Sequence, residues 1–153
     1  MNVLGVLTSG PTAFRGEGIN HENEPFTGEL TMQALEGGRA ALLTYVATLK
    51  SGDVAHSEST LLGVGPDGNL CLWPVMSELP VVLPHVEKVS RSEPGPSTEA
   101  VFASGARDDS TTFREEITIC VNSDGSLLYA HAWGLPGGSF EERSSCTMVP
   151  CVA

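Results

Sequence analysis

Basic residues are scarce in this chain: 8 Lys and Arg stand against 19 Asp and Glu, for a formal net charge of −11. A surface of that sign repels a phosphate backbone, and so few cations make no basic patch, so nucleic acid is not an expected partner. Charged residues of both signs amount to only 18%, and the acidity reads as a solubility device. Long apolar runs are missing too. None approaches the roughly 20 residues that cross a bilayer as a helix. The opening MNVLGVLTSGPTAF has no basic segment ahead of its short apolar run, unlike a secretory signal. No membrane partner is expected, and the expected location is cytoplasmic. Paired cysteines are also lacking. Cys71, Cys120, Cys146 and Cys151 form no CxxC and have no histidine at zinc-finger spacing. Three of them sit in strand-like runs as small hydrophobes, and neither a disulfide nor a metal site is expected.

What the chain has in quantity is turn residues, 17 Gly and 10 Pro in 153 residues, a length that suits one domain. Turn signals recur at Gly37-Gly38, Ser51-Gly52-Asp53, Pro66-Asp67-Gly68, Ser123-Asp124-Gly125 and Pro136-Gly137-Gly138. Between them the apolar residues alternate. Leu30, Met32 and Ala34 share a face in GELTMQAL; Phe113, Glu115, Ile117, Ile119 and Val121 share one in FREEITICV; Leu127, Tyr129, His131 and Trp133 share one in SLLYAHAW. Period-2 runs bounded by Asp-Gly turns are the mark of hairpins. Residues 39–50, RAALLTYVATLK, are rich in helix formers, yet turn chemistry bounds them and Thr, Tyr and Val suit a pleat. They read as a strand. Residues 84–97 carry scattered charge and prolines without an apolar period and read as a long loop. The whole predicts an all-β, antiparallel up-and-down barrel of about eight to ten strands, with at most short helical turns.

Gly16-Glu17-Gly18 poses a choice between a phosphate loop and a bent first strand. A phosphate loop needs a following helix and no carboxylate among its amides. Here Glu17 sits between the glycines and Pro25 follows with no helical spacing. A bent strand is the better reading. With Phe14 ahead of it, this stretch resembles the Trp-x-Gly-x-Gly opening of the nitrobindin-like group of calycin barrels, relatives of lipocalins and fatty-acid-binding proteins. His56-Ser57-Glu58-Ser59 ahead of Pro66-Asp67-Gly68-Asn69-Leu70 resembles the His-x-Glu strand and hairpin of that group. The resemblance implies a single barrel over residues 1–153 with a small-molecule cavity, and it raises haem as a cofactor. Two departures count against the family ligands. The last strand has Glu141, Glu142 and Arg143 where nitrobindins carry the haem histidine, and Arg143 is followed by Ser145 where fatty-acid-binding proteins have an Arg-x-Tyr pair.

Polar residues on otherwise apolar, inward faces are the candidates for holding a ligand. They are His56 and Glu58, with the further option of acid–base work, and Tyr129, His131 and Trp133, an aromatic face with one imidazole. Trp73, beside Pro74, is expected at the barrel rim, and Arg114 and Arg143 near the cavity floor or mouth for an anionic group. His21 and His85 fall in loop-like surroundings with no role assigned. No serine lies in a Gly-x-Ser-x-Gly elbow, so a binding barrel rather than an enzyme is expected. Its ligand would be apolar or amphipathic. A haem protein acting on reactive nitrogen species and a ligand-free, homodimerising module are the alternatives.

Overall fold

The computed structural model describes residues 1–88 and 95–152. It contains a short helix, α1 (Val3–Thr8), and ten strands. These are β1 (Ala13–Ile19), β2 (Pro25–Leu35), β3 (Ala40–Leu49), β4 (Val54–Val64), β5 (Leu70–Met76), β6 (His85–Glu87), β7 (Thr98–Ala103), β8 (Arg114–Val121), β9 (Leu127–Gly134) and β10 (Glu141–Pro150). Each strand is antiparallel to the next, and β10 returns to β1, so the barrel is closed and no edge is left unpaired. Among the described residues no helix is long and apolar enough to cross a membrane.

The alternation read from the sequence is the inside–outside alternation of this barrel. In β3 the side chains of Ala41, Leu43, Tyr45 and Ala47 are buried, whereas Leu42 and Thr44 are exposed. Helix-forming residues thus lie in a strand because burial on one face outweighs their local preference. The turns use the expected chemistry. Gly68 and Gly125 adopt positive φ (85° and 83°), and the carboxylates of Asp67 and Asp124 each accept the amide two residues on. The loop expected over 84–97 lies partly outside the described residues; its described part contains β6, three residues too short to show a period.

The interior has two halves. Toward one end, Leu30, Leu62, Leu72, Phe102, Ile117 and Met148 pack into a dry core. Burying each such side chain stabilises the fold by about 1.5–3 kcal/mol. Helix α1 closes this end, inserting Val3, Leu4 and Leu7 against β2, β3, β7 and β8. Its first turn is capped by Asn2, whose side chain accepts the Gly5 amide. The opposite end is left for a cavity.

The glycines of β1 are explained by close approach. A Cβ on Gly16 would collide with the carbonyl oxygen of Thr147 in β10, and one on Gly18 with the Phe26 ring that lies across it and with the Ser145 carbonyl. Backbone surrounds the Gly16 position, so little can move aside. Gly16→Ala is therefore expected to destabilise the barrel by about 1–3 kcal/mol, the cost of overpacking, measured by urea unfolding. A neutral result would mean that the β1–β10 seam is looser than described.

Candidate ligand-binding site

The open end holds a cavity of about 320 Å³, at the small end of the roughly 300–1,000 Å³ typical of small-molecule sites. Its walls are mostly apolar and aromatic, with Phe26, Tyr45, Met76, Phe113, Trp133 and Leu135 among the lining residues. Two strand irregularities sit beside it. Ala55 is an extra residue in β4 opposite Ala47/Thr48 of β3, and Arg143 is an extra residue in β10 opposite Ala132/His131 of β9. Bulges at a barrel rim re-aim neighbouring side chains. Here one precedes His56 and the other carries Arg143.

Three polar side chains meet at the floor. Glu58 of β4 has no exposed side-chain surface. Its Oε1 lies 3.2 Å from His131 Nε2, and its Oε2 lies 3.7 Å from His56 Nε2. Strands β4 and β9 are diametrically opposed, with β5–β8 between them on one side and β10 and β1–β3 on the other. The Glu58–His131 contact is therefore a tie across the barrel. Around it stand Tyr45 and Tyr129, their ring centroids 4.7 Å apart, and the two imidazoles, 5.1 Å apart.

The electrostatics follow from this geometry. Burial alone would raise the Glu58 carboxyl, but the charge and hydrogen bond of His131, and those of His56, hold it well below the usual carboxylate range. Burial works to lower His56; the negative Glu58 beside it, joined by Glu78, overcomes this and pushes the imidazole up to about 9. Burial drives the phenols of Tyr129 and Tyr45 well above their ordinary value, and the negative Glu58 adds to this, so both stay protonated at neutral pH. Among the described residues, four buried side-chain atoms have no hydrogen-bond partner: His56 Nε2, Glu58 Oε2, Thr60 Oγ1 and Tyr129 OH. All four belong to the inward faces of β4 and β9.

The outer ring nitrogens are held from the other side. His56 Nδ1 donates to the Glu78 carboxylate at 2.8–2.9 Å, and His131 Nδ1 lies 3.4 Å from Ser144 Oγ. At the mouth the Arg143 guanidinium lies 4.5 Å above the Trp133 ring, donates to the Trp133 carbonyl and pairs with Glu141. His21 packs edge-on against the same indole, 5.4 Å between centroids.

Of the eight residues expected at a ligand site, His56, His131, Trp133 and Arg143 line the cavity, and Glu58 and Tyr129 lie directly behind its floor. Two lie apart. Trp73 pairs with Leu61 on the outer face of the sheet, because Leu72 and Pro74 take the inward positions of β5. Arg114 is buried, yet its guanidinium donates to the carbonyls of Arg107, Leu135 and Gly138. It lies over Gly134, where a Cβ would strike it. The partner that a buried guanidinium requires is thus loop backbone, not a ligand. His85, read as a loop residue, is fully buried in β6, with Nδ1 donating to the Leu83 carbonyl and Nε2 against Glu115 at 2.9 Å. Tyr45 and Ser144 were legible as inward positions of their strands; Glu78, just beyond β5, had no local signal.

No family model matches the chain, and no curated protein matches it in sequence. Among solved structures, the crystal structure of Rv2717c from M. tuberculosis is similar, with a TM-score of 0.69 over 95% of this chain and 93% of that one, at 17% identity. At that identity the likeness shows the fold alone, an antiparallel β-barrel. Haem, which the nitrobindin resemblance raises, needs an imidazole nitrogen turned to the cavity. Strand β10 has no histidine, His131 turns Nε2 into Glu58, and His56 is engaged by Glu78 while its Nε2 faces Glu58. Both floor imidazoles thus turn Nε2 toward Glu58, while His21 stands at the mouth against Trp133.

The His56 pairing has a measurable pH signature. Its folded value, about 9, exceeds the 6.5 of an unfolded histidine. The pairing therefore contributes stability that is complete below about pH 6.5 and is lost as pH rises through about 9. In chelator-treated protein the His56 imidazole is expected to titrate near pH 9 by NMR. A midpoint at or below that of a free histidine would show that Glu58 and Glu78 do not hold the proton.

Proposed function

We propose that this protein is a small-molecule-binding barrel that holds a compact, largely apolar ligand with one polar end. The observation that carries the reading is an apolar, aromatic-walled cavity whose lining includes His56, its buried Nε2 without a protein partner, backed by the unpartnered atoms of Glu58 and Tyr129. An unpaired buried polar atom costs about 1–3 kcal/mol, and a packed core would have replaced such residues with hydrocarbon. A polar group or ordered water placed on the floor relieves that cost. Trp133 offers a flat face for an aromatic or planar ligand, and Arg143 at the mouth favours a ligand with negative character.

Native mass spectrometry of the protein purified from its source tests this directly. A stoichiometric mass excess, released on denaturation, is expected. A single ligand-free mass, together with no one-to-one binding of the anionic apolar probe anilinonaphthalene sulfonate, would contradict it. Trp133→Ala is expected to weaken that probe at least about tenfold, or about 1.4 kcal/mol. It should cost less stability than the roughly 3–5 kcal/mol of a Trp→Ala change in a packed core, because a void already adjoins the ring. Equal loss of binding and of fold would make Trp133 a core residue instead. Added haem is expected to give no sharp Soret band. A tight complex lost on mutating one histidine would restore the haem reading.

A further inference from the structure

We propose that His56, Glu58 and His131 form a mononuclear site for a divalent first-row transition ion of zinc-like preference, seated at the floor of the cavity. One ligand atom from each of the three side chains lies within 4.8 Å of the other two. Donor atoms about 2.0–2.2 Å from a tetrahedral ion stand about 3.4 Å from one another. The two Glu58 contacts, at 3.2 and 3.7 Å, bracket that spacing. The longer one is beyond a hydrogen bond, and it joins the His56 and Glu58 atoms that have no partner in the protein.

The outer shell is the second, independent support. A histidine that binds a metal through one nitrogen commonly donates its other N–H to a carboxylate or another fixed acceptor. His56 donates Nδ1–H to Glu78, so its Nε2, aimed at Glu58, is the nitrogen that gives up its proton to take the ion. His131 Nδ1 meets Ser144, and its Nε2 likewise faces Glu58. Both rings are held in the orientation a metal needs. The other buried His–Glu pair shows the contrast: Glu115 meets the single imidazole of His85, with no second histidine on that carboxylate among the described residues.

The donor set selects the class of ion. Two imidazoles and one carboxylate suit zinc and its neighbours, whereas calcium and magnesium prefer oxygen. Three protein ligands leave a fourth position. His56 and His131 line the cavity, so that position faces the ligand space, where it would accept a lone pair from a bound molecule or water. The proposal stands on the three side chains and does not depend on what else occupies the cavity.

The test is titration of the full-length, chelator-treated protein at neutral pH with Zn²⁺ by calorimetry and with Co²⁺ by visible absorption. One tight equivalent per chain is expected, with Co²⁺ giving the visible bands of a low-coordinate ion. Binding should be lost in His56→Ala and in Glu58→Gln. It should persist in His21→Ala and Cys151→Ser, which remove an imidazole and an exposed thiol outside the site. Glu78→Gln alters a half-exposed side chain and leaves the three ligands in place; it should weaken binding about 10–100-fold with an unchanged circular dichroism spectrum. The proposal is overturned if the wild type binds no stoichiometric metal. It is equally overturned if folded His56→Ala and Glu78→Gln proteins bind as the wild type does.

Discussion

A carboxylate with no access to water must be compensated by the groups around it, and in this barrel that group is Glu58. Its position on β4, opposite β9 in the closed strand order, sends the compensation across the interior to His131. The contact marks where the dry core, plugged by α1, gives way to the cavity. Below it Leu62, Leu72 and Phe102 pack at full density; above it Trp133, Phe113 and Met76 face open space. A buried ion pair is weak evidence for stability, since desolvation offsets much of its attraction. Two histidines from different strands around one carboxylate, each oriented by a partner of its own, are better explained by a task at the floor.

The mouth is shaped by backbone irregularity as much as by side chains. The extra residue in β10 gives Arg143 the freedom to fold back over the Trp133 ring and carbonyl, and the extra residue in β4 falls just before His56. Arg114, on β8, does different work. Its guanidinium gathers loop carbonyls and holds the β9–β10 connection against the segment before β8. Two arginines that look alike in sequence are thus divided between the cavity mouth and a structural clamp by the direction in which their strand positions point.

The barrel was legible because burial on one face imposes a period of two and the hairpins need Asp-Gly chemistry, and both leave local marks. That is how residues 39–50 could be read as a strand against their helix propensity. Faces were legible for the same reason: His56 with Glu58, and Tyr129 with His131 and Trp133, do point inward. What alternation cannot supply is which inward residues meet across the barrel. The pairing of Glu58 with His131, 73 positions apart, depends on strand count and closure. Trp73 was misplaced because an aromatic residue beside a proline gives no sign of which face it takes. Residues 85–87 escaped because three residues show no period, and α1 because a single buried turn of helix resembles any short apolar run.

As proposed, His56, Glu58 and His131 form one binding centre at the floor of the cavity. Anomalous diffraction from a crystal grown with Zn²⁺, recorded at the zinc edge, tests it most directly. One strong peak is expected about 2.0–2.2 Å from His56 Nε2, a Glu58 carboxylate oxygen and His131 Nε2. Peaks confined to the surface, with Glu58 and the two imidazoles in contact only with one another, would contradict it.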